Sequence, residues 1–126
     1  MSTFEYRIEV GNFDGTRFQE VTALVDTGAT YTSVPRNILE GLGVSVTEER
    51  PFILANGERV MYGMAWIRIR LEGREQPTPA VFGEVGSEIL LGAVTLEELG
   101  LGVDVVNQRL VPTPAYFVGL KKMNGV

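Results

Sequence analysis

Alternating apolar and polar residues predict a half-buried β-strand over residues 3–10. A period of two residues is that of a strand with one face on the core. The face predicted to be buried carries four apolar side chains: Phe4, Tyr6, Ile8 and Val10. A glycine-rich turn at residues 11–15 follows, and residues 18–25 predict a second strand. The chain is therefore expected to open with a β-hairpin.

The middle of the chain predicts a second hairpin. Asn56-Gly57 separates residues 51–55 from residues 58–62. This dipeptide predicts a two-residue turn in which both residues have φ above zero. Residues 64–71 alternate clearly and predict a long strand. Its core face is expected to carry Ala65, Ile67, Ile69 and Leu71.

Shorter segments complete the pattern. Pro77 and Pro79 predict an edge or an irregular entry into a strand at residues 80–82. Further short strands are predicted at residues 31–34, 89–92, 103–106 and 109–111, and residues 115–120 are a candidate final strand. A short helical turn is predicted within residues 35–43, and a helix over residues 95–99 that ends at Gly100. So many short strands with so little helix predict an all-β barrel or small sandwich.

The composition of the chain limits which partners and which cellular location are expected. The chain has 126 residues, 44% of them hydrophobic, and is expected to form one domain over residues 1–126. Its net charge of −5 argues against nucleic acid as a partner, because nothing forms a basic stripe. No segment has the length and apolarity of a membrane span, so no membrane partner is expected. The N-terminus does not resemble a secretory signal, and a cytoplasmic location is expected.

The chain has no cysteine and no histidine. Nucleophile–base pairs that use these residues, zinc ribbons and disulfide frameworks are therefore excluded. No metal and no cofactor is expected, and acid–base chemistry would fall to carboxylates, lysine or tyrosine. The chain has three aspartates: Asp14, Asp26 and Asp104. We expect Asp14 in an exposed turn and Asp104 on the solvated face of a strand.

The second strand runs directly into Asp26-Thr27-Gly28-Ala29. A buried carboxylate is costly unless it is paired, so an aspartate here either caps the next turn or does chemical work. Gly28 allows a sharp turn and the close approach of a ligand, because it has no Cβ. The Thr27 hydroxyl can hydrogen-bond the backbone and fix the loop.

Two motifs in this order resemble the retropepsin-like aspartic proteases, the single-domain relatives of pepsin, and most closely their small prokaryotic members. One is Asp26-Thr27-Gly28-Ala29, and the other is Leu90-Leu91-Gly92 leading into a helix. The resemblance covers residues 4–111. It implies a closed β-barrel or sandwich with a flap hairpin and one short C-terminal helix, which packs beneath the catalytic loop.

The resemblance also implies roles for individual residues. Asp26 would be the catalytic carboxylate, and Thr27 would hydrogen-bond its twin across a homodimer. Gly28 and Ala29 would present backbone groups to a bound peptide. Residues 52–62 would form the flap, with its tip at Ala55, Asn56, Gly57 and Glu58.

The reaction implied is hydrolysis of peptide bonds by a water activated between two Asp26 carboxylates. Since the chain contains a single Asp-Thr-Gly, a two-fold homodimer would have to supply the second carboxylate. The substrate would be a peptide or protein held in an extended, strand-like form. From the pattern alone, Val34, Ile53 and Val81 are candidates for the apolar walls of the site.

Two departures from retroviral relatives leave alternatives open. Thr30 and Ala93 stand where those enzymes often carry a paired acid and arginine, and the flap tip lacks their run of glycines. One alternative is a non-catalytic module that binds a peptide or a partner. The other is a domain that is inactive alone and works within a larger assembly.

Overall fold

The computed structural model describes residues 3–114, which form mostly β-strands, as the sequence predicted. In chain order the elements are β1 Phe4–Gly11, β2 Phe18–Val25, β3 Thr32–Pro35, α1 Arg36–Gly41, β4 Glu48–Ile53, β5 Arg59–Leu71, β6 Arg74–Gly83, β7 Leu90–Leu91, α2 Ala93–Leu99, β8 Leu101–Asp104 and β9 Arg109–Pro112. The expected C-terminal helix is α2. The short helix α1 lies within the segment for which a helical turn was predicted.

A seven-stranded sheet runs in the order β1-β2-β7-β3-β6-β5-β4. β1 also pairs with β5, with Val10 opposite Ile69, so the sheet closes on itself. β4 lies outside this closure as an additional strand on β5. The structure therefore matches the expected closed barrel with a flap hairpin, which β4 and β5 form.

The barrel interior follows the predicted alternation. Ile67 and Ile69 on β5 are fully buried, as is Val10 on β1. Val34 is also fully buried, in the hydrophobic core. The prediction that Val34 forms a wall of a binding site is wrong, because its position on β3 faces the interior of the barrel.

The turn at the flap tip differs from the prediction. Leu54 N–H donates to the Glu58 carbonyl and Gly57 N–H donates to the Leu54 carbonyl, each over 2.8 Å. Leu54 and Glu58 are thus the last bonded pair, which leaves residues 55–57 in the loop. Gly57 has a φ of 87°, and Asn56 does not have a positive φ. This is a three-residue loop with glycine in the left-handed region, so the predicted two-residue turn is wrong.

The predicted turn chemistry occurs instead between β5 and β6. Glu72 and Gly73 both have positive φ, 51° and 73°, and they connect the strand partners Leu71 and Arg74. Two consecutive residues with positive φ suit the right-handed twist of a tight hairpin. Gly73 is a turn signal in the sequence, but no local pattern shows that this turn rather than Asn56-Gly57 is the two-residue one.

Both prolines of β6 lie where the strand has a neighbour on one side only. β3 pairs with β6 from Ala80 to Gly83, whereas Pro77 and Pro79 pair with β5 alone. Their missing N–H groups therefore interrupt no ladder with β3. The predicted edge position is confirmed.

β8 and β9 form a separate two-stranded sheet after α2. The candidate final strand at residues 115–120 lies outside the described residues. Within residues 3–114, no helix is long and apolar enough to cross a membrane.

Candidate active site

Asp26 stands at the point where β2 leaves the barrel. Backbone N–H groups of Leu24 and Asp26 donate to the carbonyls of Ile89 and Leu91, over 2.8 and 3.1 Å. The strand before Asp26 is thus fixed by its parallel partner β7, and the preceding Val25 is fully buried. Backbone hydrogen bonds therefore fix the position of Asp26, which is itself partly exposed.

The loop after β2 turns around the Asp26 carboxylate. Gly28 N–H donates to Asp26 Oδ1 over 2.9 Å, and Ala29 N–H donates to the Asp26 carbonyl over 3.1 Å. An aspartate side chain that bonds the backbone two residues on is a common way to fix a turn. Both sequence interpretations are therefore compatible, because Oδ1 shapes the turn while the residue stays accessible.

The loop is fastened to the start of α2 by backbone groups. Ala93 N–H donates to the Ala29 carbonyl over 2.8 Å, and Val94 N–H donates to the Thr30 carbonyl over 3.0 Å. These are the two segments that retroviral relatives often join by an ion pair. In this chain the segments meet without that pair, through main-chain bonds.

Gly92 permits this close contact. A Cβ at Gly92 would lie 2.5 Å from the Tyr31 carbonyl carbon and 2.8 Å from the Thr32 nitrogen, and both of these are backbone atoms. Any side chain would force the loop and α2 apart. The glycine of the Leu90-Leu91-Gly92 motif is thus required by packing against the chain that follows Asp26.

Three buried threonines lie where β3, β6 and α2 meet. Thr95 Oγ1 lies 2.6 Å from Thr32 Oγ1 and 2.7 Å from Thr78 Oγ1. Gly92 N–H donates to Thr32 Oγ1 over 3.1 Å. All three threonines have no exposed surface. Their hydroxyls thus satisfy one another and fix α2 against the strand that follows the loop.

A cleft of about 570 Å³ opens between the Asp26 loop and the flap hairpin. This volume lies within the range of roughly 300–1,000 Å³ that is usual for ligand sites. The loop contributes Gly28, Ala29, Thr30 and Tyr31, and the flap contributes Phe52, Ile53, Leu54 and Tyr62. The third wall includes Val81, Glu84, Glu88 and Leu90. The lining is largely apolar and includes two acidic residues, Glu84 and Glu88.

The residues predicted for the site fall into two groups. Gly28 and Ala29 line the cleft. Asp26 and Thr27, which come directly before them in sequence, do not line it in the single chain. The four residues of the predicted flap tip are exposed and do not line the cleft: Ala55, Asn56, Gly57 and Glu58. The flap instead reaches the cleft through the strand residues on either side of the tip.

Sequence reasoning missed the aromatic lining of the cleft. Neither Tyr31, Phe52 nor Tyr62 was assigned to the binding wall. No local signal shows this, because the predicted two-residue turn would pair Tyr62 with Pro51, whereas the observed register pairs Arg50 with Tyr62 and Phe52 with Val60. Residues Arg50, Phe52 and Tyr62 therefore share one face of the flap.

Other parts of the surface offer less chemistry. A cavity of about 440 Å³ lies beside Phe13, Val44 and Trp66, but no residue of the Asp26 loop lines it. Among residues 3–114, no three aspartate or glutamate side chains gather as metal ligands would. The cleft beside the Asp26 loop is therefore the candidate active site.

Known proteins resemble this chain in sequence and in fold. A family model described as aspartyl protease matches residues 8–95. The fold is similar to that of EIAV protease complexed with the inhibitor HBY-793, with a TM-score of 0.59 and 18% sequence identity. That match covers 79% of this chain and 89% of the EIAV chain. The search of curated proteins gives no significant match. The chain therefore belongs to the aspartyl protease family and has the retropepsin-like fold.

Proposed function

We propose that the chain is an aspartic endopeptidase whose active site forms in a homodimer, with one Asp26 from each chain. The observation that carries this proposal is the placement of Asp26. It lies at the end of the half-buried strand β2, on a loop held by β7 and α2, beside a cleft that the flap hairpin helps to line. Membership of the aspartyl protease family supports the same reaction class.

Two adjacent carboxylates provide both halves of the chemistry. Two carboxyl groups in close contact do not both ionise, because their like charges would repel, so the pair holds one proton between them. The ionised Asp26 removes a proton from water, whose oxygen attacks the peptide carbonyl carbon. The protonated Asp26 donates to the carbonyl oxygen. As the tetrahedral diol collapses, the now ionised carboxylate accepts a proton from one of the diol hydroxyls, the other carboxyl donates its proton to the leaving nitrogen, and the C–N bond breaks, so that the pair again holds one proton.

A second chain is needed because the other aspartates lie elsewhere. Asp14 is exposed in the turn after β1. Asp104 Oδ2 accepts a hydrogen bond from Asn107 Nδ2 over 2.8 Å, and the Asn107 bonds lower the pKa of Asp104 below its ordinary value. Neither is placed to pair with Asp26. A two-fold axis near the loop would bring identical carboxylates face to face.

The cleft suits an extended peptide or protein segment. Gly28 and Ala29 would present backbone groups to the peptide, as in strand addition. Thr27 is exposed in the single chain, which leaves its hydroxyl available for the other Thr27 across the dimer. The residues of the flap tip would reach the peptide only when the hairpin closes: Ala55, Asn56, Gly57 and Glu58. The proposal takes residues 1–126 as one domain, and a cytoplasmic location stays a prediction.

Digestion of a denatured protein mixture tests this function. Wild type and Asp26→Asn are incubated with it from acidic to neutral pH, and light scattering measures their mass. We expect a dimeric wild type that cleaves and a dimeric variant that does not. A dimer that cleaves nothing would favour the non-catalytic peptide-binding module. A protein that stays monomeric at high concentration would contradict the shared site.

A further inference from the structure

We propose that Arg50 is a positioning residue that holds the flap against the Asp26 loop through Tyr31. The inference rests on the proposed proteolytic function, because it assigns a part of that machinery. It concerns a side chain that does not line the cleft, whereas its partner Tyr31 does.

All three nitrogens of the Arg50 guanidinium are engaged. Nε and Nη2 donate to the two carboxylate oxygens of Glu48, over 3.1 and 3.2 Å. Nη1 donates to the Tyr31 hydroxyl over 2.7 Å. A carboxylate that binds a guanidinium through two parallel bonds fixes its plane. Glu48 therefore aims the third nitrogen of Arg50 at Tyr31.

This contact joins two parts of the chain that the backbone does not join. Arg50 lies on β4, which pairs with β5 alone and is the outermost strand of the sheet. Tyr31 lies five residues after Asp26, immediately before β3. The Arg50 guanidinium carbon also lies 5.5 Å from the centre of the Tyr31 ring, within the range of a cation–π contact.

The contact continues into the cleft as a row of aromatic rings. The Tyr31 and Phe52 rings pack edge to face at 6.1 Å, and the Phe52 and Tyr62 rings do so at 5.8 Å. All three rings line the cleft, so their positions set the shape of its wall. Arg50 acts on this wall from the opposite side of Tyr31, where a separate cavity lies.

Partial exposure makes the contact suited to a flap that must open. The Arg50 and Glu48 side chains are 42% and 50% exposed. Exposed ion pairs are weak, and a hydrogen bond between partly exposed groups forms and breaks readily. Arg50 would therefore keep β4 of the flap against the Asp26 loop without locking it there, and its loss would let β4 separate from the loop more often.

Two measurements on one set of variants test this role. The variants are Arg50→Ala, Arg50→Lys, Tyr31→Phe and the double variant Arg50→Ala/Tyr31→Phe. Hydrogen exchange compares amides of residues 48–62 with those of residues 18–25. Steady-state kinetics on a peptide taken from the wild-type digest give KM and kcat separately. Arg7→Ala is the matched control, because Arg7 pairs with Glu20 at 3.5 Å on the exposed face of the first hairpin.

For Arg50→Ala, we expect flap amides to exchange about 3- to 10-fold faster, because the variant loses the one hydrogen bond that joins the flap to Tyr31. Amides of residues 18–25 should be unchanged. KM should rise by a similar factor, while kcat stays within about twofold because Arg50 touches no reacting atom. Arg50→Lys should restore part of the effect. Adding Tyr31→Phe to Arg50→Ala should change little, because the two residues act through one contact.

The inference is overturned if Arg50→Ala matches Arg7→Ala in flap exchange. It is also overturned if the effects of Arg50→Ala and Tyr31→Phe add in full, or if exchange changes while KM does not. A wild type that cleaves no peptide contradicts the proposed function. In that case binding of a denatured-protein digest replaces KM, and the exchange measurement still decides whether Arg50 holds the flap.

Discussion

Thr32 and Thr95 face each other in the protein interior with their hydroxyl oxygens 2.6 Å apart. Thr32 begins the strand that follows the Asp26 loop, and Thr95 lies on α2. Thr78, from β6, reaches the same Thr95 oxygen over 2.7 Å. Since a buried hydroxyl without a partner is costly, this arrangement favours one position of α2 beneath the loop.

Replacing Thr95 by valine tests this buried contact. Thr95→Val keeps the shape of the side chain but removes the oxygen that Thr32 and Thr78 share. We expect a loss of about 1–3 kcal/mol in the free energy of unfolding, measured in urea. Thr22→Val is the control, because Thr22 is exposed on β2 and should change stability by less than about 0.5 kcal/mol. Equal stability of the two variants would contradict a structural role for the threonines.

Gly92→Ala should destabilise the protein through a steric clash. The added Cβ would meet the Tyr31 carbonyl at 2.5 to 2.7 Å, and backbone cannot move aside as a flexible side chain can. We expect a loss of about 1–3 kcal/mol, typical of overpacking. Gly41→Ala is the matched control, because no atom lies within 4 Å of its added Cβ. If thermal unfolding shows Gly92→Ala to be as stable as Gly41→Ala or more stable, the close packing at Gly92 is refuted.

Asp104 should make stability depend on pH at the acidic end. The Asn107 hydrogen bonds lower the pKa of Asp104 in the folded chain. A lowered carboxyl pKa gives stability that is present above the ordinary aspartate pKa and is lost as pH falls through the folded value. Urea unfolding at several pH values should therefore show the largest excess in the free energy of unfolding of the wild type over Asp104→Ala near neutrality. A difference that stays constant down to strongly acidic pH would contradict this contribution.

Much of the fold follows from local sequence signals. The two-residue period predicted β1 and the core face of β5, because each of these strands has one face in the barrel. The Asp26 motif was recognisable because its geometry depends on neighbours in sequence: Gly28 N–H reaches Asp26 Oδ1 two residues away. Gly100 ends α2 in the left-handed conformation, with a φ of 71°, as its position after the helical pattern predicted.

The features that the sequence did not predict depend on contacts between segments that are distant in the chain. Val34 and Val81 have similar local patterns, but only the barrel topology places Val34 in the core and Val81 at the cleft. The flap loop was mispredicted because the register of β4 and β5, rather than the Asn56-Gly57 dipeptide alone, decides the loop length. The contact between Arg50 and Tyr31 joins residues 19 apart and leaves no mark on local periodicity.

Subunit mixing tests the shared active site most directly. Wild type and Asp26→Asn are combined at constant total concentration, allowed to exchange subunits, and assayed on one peptide. If each site needs two Asp26 carboxylates, mixed dimers are inactive and activity follows the square of the wild-type fraction. An equal mixture then retains about a quarter of the wild-type activity. Activity that falls in proportion to the wild-type fraction, to about half, would show that each chain works alone and would contradict the shared site.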